Sequence, residues 1–395
     1  MTRKLKSLAT LVMDQRSAGE LPYVALEHVV SGGGGLDPNT DLPLRDTVDA
    51  GVSLVQPGDV LFGKLRPYLA KTWFVDRPAY ASTELLALRA NADVEPRWLA
   101  YLVRSQSAVQ WATASSDGTK MPRTSWEKFA QYLVPEPPTV KHQQAIADYL
   151  DVETARIDAL ITKKQKSIEL LDLRTESLLA SLLEPLIREW GEVPLKAIAH
   201  LEVSNIDKKS YEGQQAVFLC NYTDVYYHRS ITRELDFMAA TADTGQIKRL
   251  TLRRNDVLIT KDSETADDIA VPAWVAEDLP DVVLGYHLAL LRPKNYNGRF
   301  LYWAVVSRRC RDAFSLSASG VTRVGLRRDQ MSRVPVPAVP LHLQKAVVSQ
   351  MDNSVRSQDQ VVKALRKQIE LLRERRQALI TAAVTGELEI PEVAA

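Results

Sequence analysis

One long helical stretch occurs twice in this chain, and this repeat limits the possible folds more than any other feature. The first copy runs from about residue 143 to residue 183, and the second from about residue 344 to residue 384. Ile168 aligns with Ile369, a shift of 201 residues (369 − 168), and no gap interrupts the match. The sequence therefore predicts two equivalent long helices.

Both copies carry a stripe of mostly apolar residues at steps of four and three, with charged residues between them. This spacing is typical of a coiled coil. In the first copy the stripe consists of Leu150, Thr154, Ile157, Ile161, Lys164, Ile168, Leu171, Thr175, Leu178 and Leu182. In the second copy it consists of Met351, Val355, Gln358, Val362, Leu365, Ile369, Leu372, Arg376, Leu379 and Ala383. Because two such stripes can bury each other, we expect the helices to pack together.

The repeat continues outside the helices, as an internal duplication would. Similar segments are residues 58–61 and 255–258, residues 134–137 and 334–337, and the pairs Gly118 with Gly320 and Arg123 with Arg323. The chain therefore alternates globular and helical parts. The predicted boundaries are 1–139 and 190–339 for the globes, and 140–189 and 340–395 for the helices.

Each globe is predicted to mix short strands with helices. Apolar runs that follow polar turns favour strands at 59–62 and 256–260, and the runs at 85–88 and 288–291 are predicted to be buried strands. Helical spacing of apolar residues favours helices at 96–112 and 299–314, and Ser31 with the four glycines at 32–35 indicates a flexible loop. The predicted fold class is α+β, with two similar α/β globes and two long helices.

Composition excludes few functions but indicates the cellular environment of the protein. The net charge of +1 argues against a non-specific polyanion binder, although it allows local basic patches. The two cysteines, Cys220 and Cys310, form no disulfide framework, which fits a reducing compartment. No apolar run reaches the length of a membrane span. We therefore expect a cytoplasmic protein without membrane contact.

Candidate catalytic motifs are incomplete. The segment 58–65 lacks the Ser or Thr that holds Mg²⁺ in a phosphate-binding P-loop. The segment 136–139 lacks the aromatic residue of the amino-methyltransferase motif that it resembles, and residues 207–209 lack a persuasive acidic partner for a nuclease site. The six histidines show no metal-ligand spacing. We expect no catalysis, no metal and no cofactor in the chain alone.

Positive charge is concentrated locally. Between residues 299 and 333 there are eight arginines and only two acidic residues. Lys64 matches Lys261, and Arg123 matches Arg323, at equivalent places of two divergent globes. Lysine and arginine among aromatic and hydroxyl side chains suit contacts with DNA phosphates and base edges. Two similar globes at a fixed separation have the geometry to read two separated parts of one duplex.

Several stretches together resemble one known family. They are residues 58–71, 82–89, 118–123, 141–158 and 259–273, and the C-terminal stretch 379–386. In this order, and with the duplication, they resemble the specificity subunits of type I restriction-modification systems. The resemblance covers nearly the whole chain.

The resemblance implies two target-recognition domains, each reading one half of a split DNA site. It also implies that the two long helices pair antiparallel and set the length of the unread spacer. The implied partners are double-stranded DNA, two methyltransferase subunits and, for restriction, a motor-nuclease subunit. S-adenosylmethionine is expected in the methyltransferase subunits, so this chain is expected to be a non-catalytic recognition subunit.

We predict eleven DNA-contacting residues on this basis. In the first globe they are Lys64, Arg66, Lys71, Lys120 and Arg123; in the second they are Lys261, Asp262, Tyr286, His287, Arg323 and Arg327. Lysine and arginine would mostly hold phosphates, whereas Asp262 or His287 would read base edges.

Two other functions remain as alternatives. A coiled-coil scaffold would show no preference among DNA sequences at moderate salt, where non-specific phosphate contacts fade. A self-contained methyltransferase or nuclease is disfavoured by the incomplete motifs, and saturable binding of S-adenosylmethionine by the purified chain would support it.

Overall fold

The computed structural model describes residues 2–16, 18–32, 34–46, 52–320 and 322–391, so Gly33 of the predicted flexible loop lies outside the described residues. The chain divides into two compact units. The first unit comprises Met1–Gln165 and Leu365–Ala395, and the second unit comprises Lys166–Ala364. Both ends of the chain therefore contribute to the first unit.

The first globe contains ten short strands and three short α-helices among its described residues, together with 3₁₀ helices at Leu5–Ser7, Leu26–His28 and Pro67–Leu69. The strands are β1 (Thr2–Lys4), β2 (Ala9–Leu11), β3 (Leu21–Val24), β4 (Leu44–Arg45), β5 (Ser53–Val55), β6 (Val60–Gly63), β7 (Thr72–Phe74), β8 (Ala79–Ala81), β9 (Leu85–Ala90) and β10 (Leu133–Pro135). The helices are α1 (Pro96–Val103), α2 (Gln106–Ala114) and α3 (Trp126–Phe129). The first long helix follows as α4 (Val140–Trp190).

The second globe repeats this arrangement with additions. Its strands are β11 (Glu192–Pro194), β12 (Ala199–Val203), β13 (Gln215–Cys220), β14 (Ser230–Ile231), β15 (Met238–Ala242), β16 (Thr251–Leu252), β17 (Val257–Thr260), β18 (Asp262–Ser263), β19 (Pro272–Val275), β20 (Leu279–Leu284), β21 (Leu288–Pro293), β22 (Val324–Gly325) and β23 (Pro335–Pro337). Its helices are α5 (Leu195–Ile198), α6 (Tyr222–Tyr227), α7 (Thr244–Leu250), α8 (Gly298–Val306), α9 (Arg308–Ser317) and α10 (Arg328–Arg333), and the second long helix is α11 (Leu341–Thr385).

The central sheets of the two units have the same strand order. In the first unit the order is β2-β9-β6-β7, and in the second it is β12-β21-β17-β19 with β14 added at the edge. A buried carboxylate is held at the same place in both sheets. Arg89 Nε donates to Asp59 Oδ1 at 2.7 Å, and Arg292 Nε donates to Asp256 Oδ1 at 2.9 Å. The duplication seen in the sequence is therefore a duplication of structure.

The two long helices run antiparallel within the first unit. Lys164 Nζ donates to Gln368 Oε1 at 2.6 Å, while Arg376 lies 3.0 Å from Asp158 through its Nε and the Oδ1 of that carboxylate. Residue numbers therefore rise along one helix as they fall along the other. The predicted fold class, with two α/β globes and two long antiparallel helices, is confirmed. Within the described ranges, no helix combines the length and the apolar character that a membrane crossing needs.

The predicted stripe is the face along which the helices bury their side chains. Every stripe residue is buried or half-buried, whereas Leu170, Leu173 and Leu371, which lie off the stripe, are exposed. The polar stripe residues have partners inside their own units. For example, the Thr175 hydroxyl donates to the amide oxygen of Gln358 in the second unit. The step of four and three therefore identified part of the packed surface of each helix, and Leu179, Leu183 and Ile380, which lie off the stripe, are buried as well.

The helix boundaries differ from the predictions at three places. The helix α4 continues to Trp190, beyond the expected end near residue 183 and past Pro185. The single helices predicted at 96–112 and 299–314 are each two helices. The hydroxyl of Ser105 caps α2 by accepting from the Ala108 N–H, and the hydroxyl of Ser307 caps α9 by accepting from the Cys310 N–H. In both places the serine starts a new helix although the apolar spacing continues across it, because a capping hydroxyl stabilises a helix start.

Each globe shares one core with segments of both long helices. In the first unit Trp98 packs in a cluster with Leu150 of α4 and Ile380 of α11. In the second unit Phe300 belongs to a cluster that includes Leu183 of α4 and Met351 of α11, among others. Because the buried apolar surface is continuous, the helices contribute directly to the stability of both globes.

Candidate nucleic-acid interface

The first unit places a lysine where two strands of its central sheet end together. Strands β6 and β9 are antiparallel neighbours, with Gly63 opposite Leu85. Lys64 follows β6, and its backbone N–H donates to the carbonyl of Glu84 at 2.9 Å. The Lys64 carbonyl accepts from the Thr124 N–H at 3.0 Å. The backbone of Lys64 is therefore fixed on both sides.

The second unit builds the same backbone frame around Lys261. Strands β17 and β21 are antiparallel, with Thr260 opposite Leu288. The Lys261 N–H donates to the carbonyl of His287 at 2.9 Å, and the Lys261 carbonyl accepts from the Leu326 N–H at 2.8 Å. We call Lys64, Glu84 and Arg123 the first strand-end cluster, and Lys261, Asp262 and His287 the second strand-end cluster.

Side chains of the first strand-end cluster form one ion pair and one backbone contact. Arg123 Nη2 lies 3.0 Å from Glu84 Oε2, and about half of the Arg123 side chain is exposed. Lys64 Nζ donates to the Thr83 carbonyl at 2.6 Å. Burial lowers the pKa of Lys64 below its ordinary value, Arg123 adds to this effect, and Glu84 opposes it. The half-buried Lys64 is therefore held by its surroundings, while Arg123 presents charge to solvent.

A basic turn lies next to the first strand-end cluster. Its backbone closes between Asp117 and Arg123, and Gly118 adopts the left-handed conformation with φ of +86°. Lys120 is exposed in this turn. Arg66 is also exposed, and its N–H donates to the Pro122 carbonyl at 2.7 Å. The fold therefore brings Lys120 and Arg66 to the same side of the first globe as Arg123.

Lys71 has a different environment from the other predicted residues of the first globe. Its backbone carbonyl accepts from the Gly63 N–H at 2.9 Å, so it lies beside the end of β6. Its side-chain Nζ donates to the Leu26 carbonyl at 2.9 Å. Lys71 thus fastens the short 3₁₀ helix Leu26–His28 to the sheet.

Side chains of the second strand-end cluster converge on one carboxylate oxygen. Lys261 Nζ and His287 Nδ1 each lie 2.6 Å from Asp262 Oδ2. Burial raises the pKa of Asp262, but hydrogen bonds from Lys261 and His287 outweigh it, so the pKa stays below the ordinary value. The Tyr286 ring stands edge-on to the His287 ring, with centroids 4.0 Å apart. Four of the predicted residues therefore form one connected group.

The structural counterpart of Arg123 is Gly325, so the predicted match between Arg123 and Arg323 is wrong. Leu65 pairs with Arg123 in the first unit, and Asp262 pairs with Gly325 in the second. Arg323 lies two residues earlier, in the turn. The single-residue match looked plausible because a similar arginine lies nearby, but strand pairing decides the register.

Arg323 and Arg327 are both exposed in the second unit. Arg327 immediately precedes α10, and its Nε lies 3.5 Å from Asp329 Oδ1. At this distance and exposure the ion pair contributes little to stability. Both guanidinium groups are therefore accessible to a ligand.

An aromatic group in the second unit was not identified from the sequence. Tyr222 stacks on Tyr226 with ring centroids 5.6 Å apart, and the Tyr226 hydroxyl donates to Asp268 Oδ2 at 2.8 Å. This hydrogen bond, together with burial, raises the pKa of Tyr226 to about 12. Tyr227 is 74% exposed. The run of three tyrosines within 222–227 could have indicated a stacking surface, although nothing in the sequence pointed to Asp268.

One family model and several solved structures match the chain. Residues 48–170 match the family model of the type I restriction modification DNA specificity domain. The chain is similar to one from a structural study of complex assembly and conformational transition of the type I R-M system, with 18% identity, 98% of each chain covered and a TM-score of 0.66. This likeness shows the fold. No curated protein matches the chain in sequence.

Two further solved structures are similar over nearly their whole length. The HsdS subunit from Thermoanaerobacter tengcongensis is 19% identical, with 98% of this chain and 97% of that chain covered and a TM-score of 0.47. The S subunit of a type I restriction-modification system from M. genitalium is 14% identical, with 97% and 95% covered and a TM-score of 0.38. The range matched by the family model, 48–170, contains the whole first strand-end cluster and its basic turn.

Proposed function

We propose that this chain, which carries a type I restriction modification DNA specificity domain and has the fold of a chain from a type I R-M system, reads a split DNA sequence. Each unit binds one half of the site through its strand-end cluster. The observation that carries this proposal is the repeated backbone frame that fixes Lys64 in one unit and Lys261 in the other. The frame of the first unit lies inside the matched DNA specificity domain.

Exposed and half-buried side chains have different tasks in this proposal. Arg66, Lys120, Arg323 and Arg327 are exposed, so they hold phosphates and give binding its salt dependence. The half-buried groups of the strand-end clusters are held by hydrogen bonds and present fixed donors and acceptors to base edges. Fixed polar groups suit sequence reading, because discrimination between base pairs depends on the pattern of donors and acceptors in the groove.

The long helices set the spacer between the two half-sites in this proposal. The helices α4 and α11 contain 51 and 45 residues, which corresponds to roughly 75 Å and 70 Å at the helical rise. Double-stranded DNA and two methyltransferase subunits are the partners, and a motor-nuclease subunit joins for restriction. S-adenosylmethionine is bound by the methyltransferase subunits, and this chain acts in the cytoplasm without catalysing a step itself.

Selection from a randomised pool of DNA duplexes tests the proposed function. The chain, in complex with its methyltransferase partner, is incubated with the pool at moderate salt, and the bound duplexes are sequenced. We expect two short preferred blocks separated by a gap of fixed length. A pool recovered without sequence preference would contradict the proposal, because phosphate contacts alone carry no sequence information.

A further inference from the structure

We propose that His287 reads adenine or cytosine, the two bases that present an exocyclic amino group in the major groove, with its Nε2 as hydrogen-bond acceptor, and that Asp262 is the positioning residue that fixes this role. The inference rests on the proposed function, since it assigns the chemistry of one contact in the second half-site. Its basis is the geometry around a single carboxylate oxygen.

The hydrogen bond between His287 and Asp262 determines where the imidazole proton lies. His287 Nδ1 is 2.6 Å from Asp262 Oδ2. An ionised carboxylate only accepts hydrogen bonds, so Nδ1 must carry the proton and donate. The other ring nitrogen, Nε2, then has a free lone pair in the neutral ring, because the partner of one nitrogen sets the state of the other. His287 therefore offers an acceptor on the ring nitrogen that does not bond Asp262, and its side chain is 32% exposed.

The backbone around His287 supports a built site. His287 has φ of +66°, a left-handed conformation that is uncommon for a residue other than glycine. Its carbonyl accepts from the Lys261 N–H at 2.9 Å, which ties this conformation to the end of the sheet. Strained conformations of this kind cluster at binding sites, where the surrounding structure holds them in place.

Gly325 leaves the room that the Asp262 carboxylate needs. A Cβ added at Gly325 would lie 2.8 Å from Asp262 Oδ1, closer than real Cβ contacts. Strand β22 thus passes so close to Asp262 that a side chain at position 325 would force the carboxylate to shift. The hydrogen bond with the His287 imidazole and the nearby backbone of β22 together leave the Asp262 carboxylate little freedom to turn away.

The local charge favours a base edge over a phosphate. Lys261 Nζ is 2.6 Å from the same Asp262 oxygen, so the positive charge of Lys261 is matched by the carboxylate. A phosphate group requires net positive charge, which this trio does not supply. Tyr286, which is 46% exposed, covers one side of the His287 ring. A lone acceptor between these groups pairs with the N6 amino group of adenine or the N4 amino group of cytosine in the major groove.

Deletion of one amino group from the DNA tests the assignment directly. The preferred second block is first determined by selection, and duplexes are then made in which one adenine or cytosine at a time is replaced by purine or 2-pyrimidinone, which lack the amino group. We expect one such replacement to weaken binding of the wild-type complex about fivefold. The same replacement should have little further effect in the His287→Ala complex. Equal losses in both complexes at every position would overturn the proposal.

Two variants separate a reading role from a structural one. Asparagine tolerates the left-handed conformation and has an amide oxygen acceptor, so His287→Asn should retain part of the preference at that position. Asp262→Asn should reduce the preference at the same base, because the proton on Nδ1 is no longer fixed. A preference for guanine at this position in the wild-type complex would also contradict the proposal. Guanine presents two acceptors in the major groove, so a ring with a proton on Nε2 would read it.

The first unit supplies the matched control. Glu84 occupies the place of His287, since the Lys64 N–H donates to its carbonyl as the Lys261 N–H donates to that of His287. Glu84→Gln should alter preferences in the first block only. If the wild-type complex selects no split site at all, the proposed function fails. If it selects a split site and His287→Ala leaves every position of the second block unchanged, only this inference fails.

Discussion

The two strand-end clusters share a backbone and differ in their side chains. In the first cluster Arg123 reaches across to Glu84, whereas in the second Asp262 accepts from both Lys261 and His287. The acidic residue of the first cluster, Glu84, immediately precedes β9, whereas that of the second, Asp262, lies in β18. The frame around the lysine is therefore the repeated part of the fold, and the ion pairs attached to it are where the two units diverge. A duplicated fold can in this way present different chemical groups at one geometrical position.

The largest expected effect concerns the shared frame. Arg292→Met leaves the Asp256 carboxylate, which is 2% exposed, without its ion-pair partner. We expect a loss of about 3 kcal/mol in the free energy of unfolding, because an uncompensated buried charge is strongly destabilising. Denaturant unfolding of the variant measures it. Arg89→Met in the first unit is the matched variant. Its carboxylate, Asp59, is also 2% exposed, but the Arg89 side chain is 50% exposed and that of Arg292 only 21%, so solvent screens the first pair more and its loss should be smaller. A larger loss for Arg89→Met would contradict this ranking.

The second largest effect is expected at Gly325, where the two clusters differ. Gly325→Ala places a Cβ against Asp262, so the carboxylate must shift and loosen its hold on His287. We expect an overpacking cost of about 2 kcal/mol in stability and a reduced preference in the second block of the DNA site. Unfolding and DNA selection measure the two effects. Arg123→Gly, at the equivalent place of the first unit, should leave the second block unchanged; a change there would show that the two clusters do not act separately.

A smaller effect is expected from removing one charge of the first cluster. Lys64→Ala or Arg123→Ala should weaken binding to the first half-site by about 1.4 kcal/mol, a tenfold change in affinity. Preferences in the second block should persist, because the second cluster is intact. Titration of duplexes that carry either block alone gives the two affinities. An equal loss on both duplexes would count against the assignment of the first cluster to one half-site.

The smallest effect concerns pH. The pKa of Asp262 is below its ordinary value of 3.8 in the folded protein, so the folded state favours the ionised carboxylate. This contribution to stability is present above pH of about 4 and is lost as pH falls through the lower pKa of the folded state. Asp262→Asn should therefore flatten the acid side of the stability profile by less than about 1 kcal/mol. An unchanged profile in unfolding experiments between pH 2 and pH 5 would argue against the Asp262 contacts.

Sequence reasoning was most successful where a period repeats over a long distance. The step of four and three identified one buried stripe on both long helices, because burial of such a stripe is the same physical requirement at every turn. It missed Leu183 and Ile380, which lie off the stripe and pack into the cores of the globes. It failed at Ser105 and Ser307, where a single hydroxyl group starts a new helix inside an apolar pattern. A local cap of this kind contributes about 1 kcal/mol to stability but does not change the spacing of the apolar residues.

The site was only partly predictable for a related reason. Lys64 and Lys261 could be matched because each follows a recognisable strand. The partners Glu84 and Asp268 could not be found, since strand pairing and folding of distant segments bring them to Arg123 and Tyr226. The mistaken match of Arg323 came from aligning residue types without the pairing that sets the register. Contacts between distant segments thus decide which charged residues meet, and a single sequence does not show them.

A map of DNA methylation tests the central claim most directly, namely that the two units read two separate blocks. The chain is co-expressed with its methyltransferase partner in a host without DNA methylation, and modified adenines are located across the genome. Two short specific blocks with a fixed gap are expected. A single undivided block, or methylation without sequence preference, would contradict the reading of a split site by two strand-end clusters.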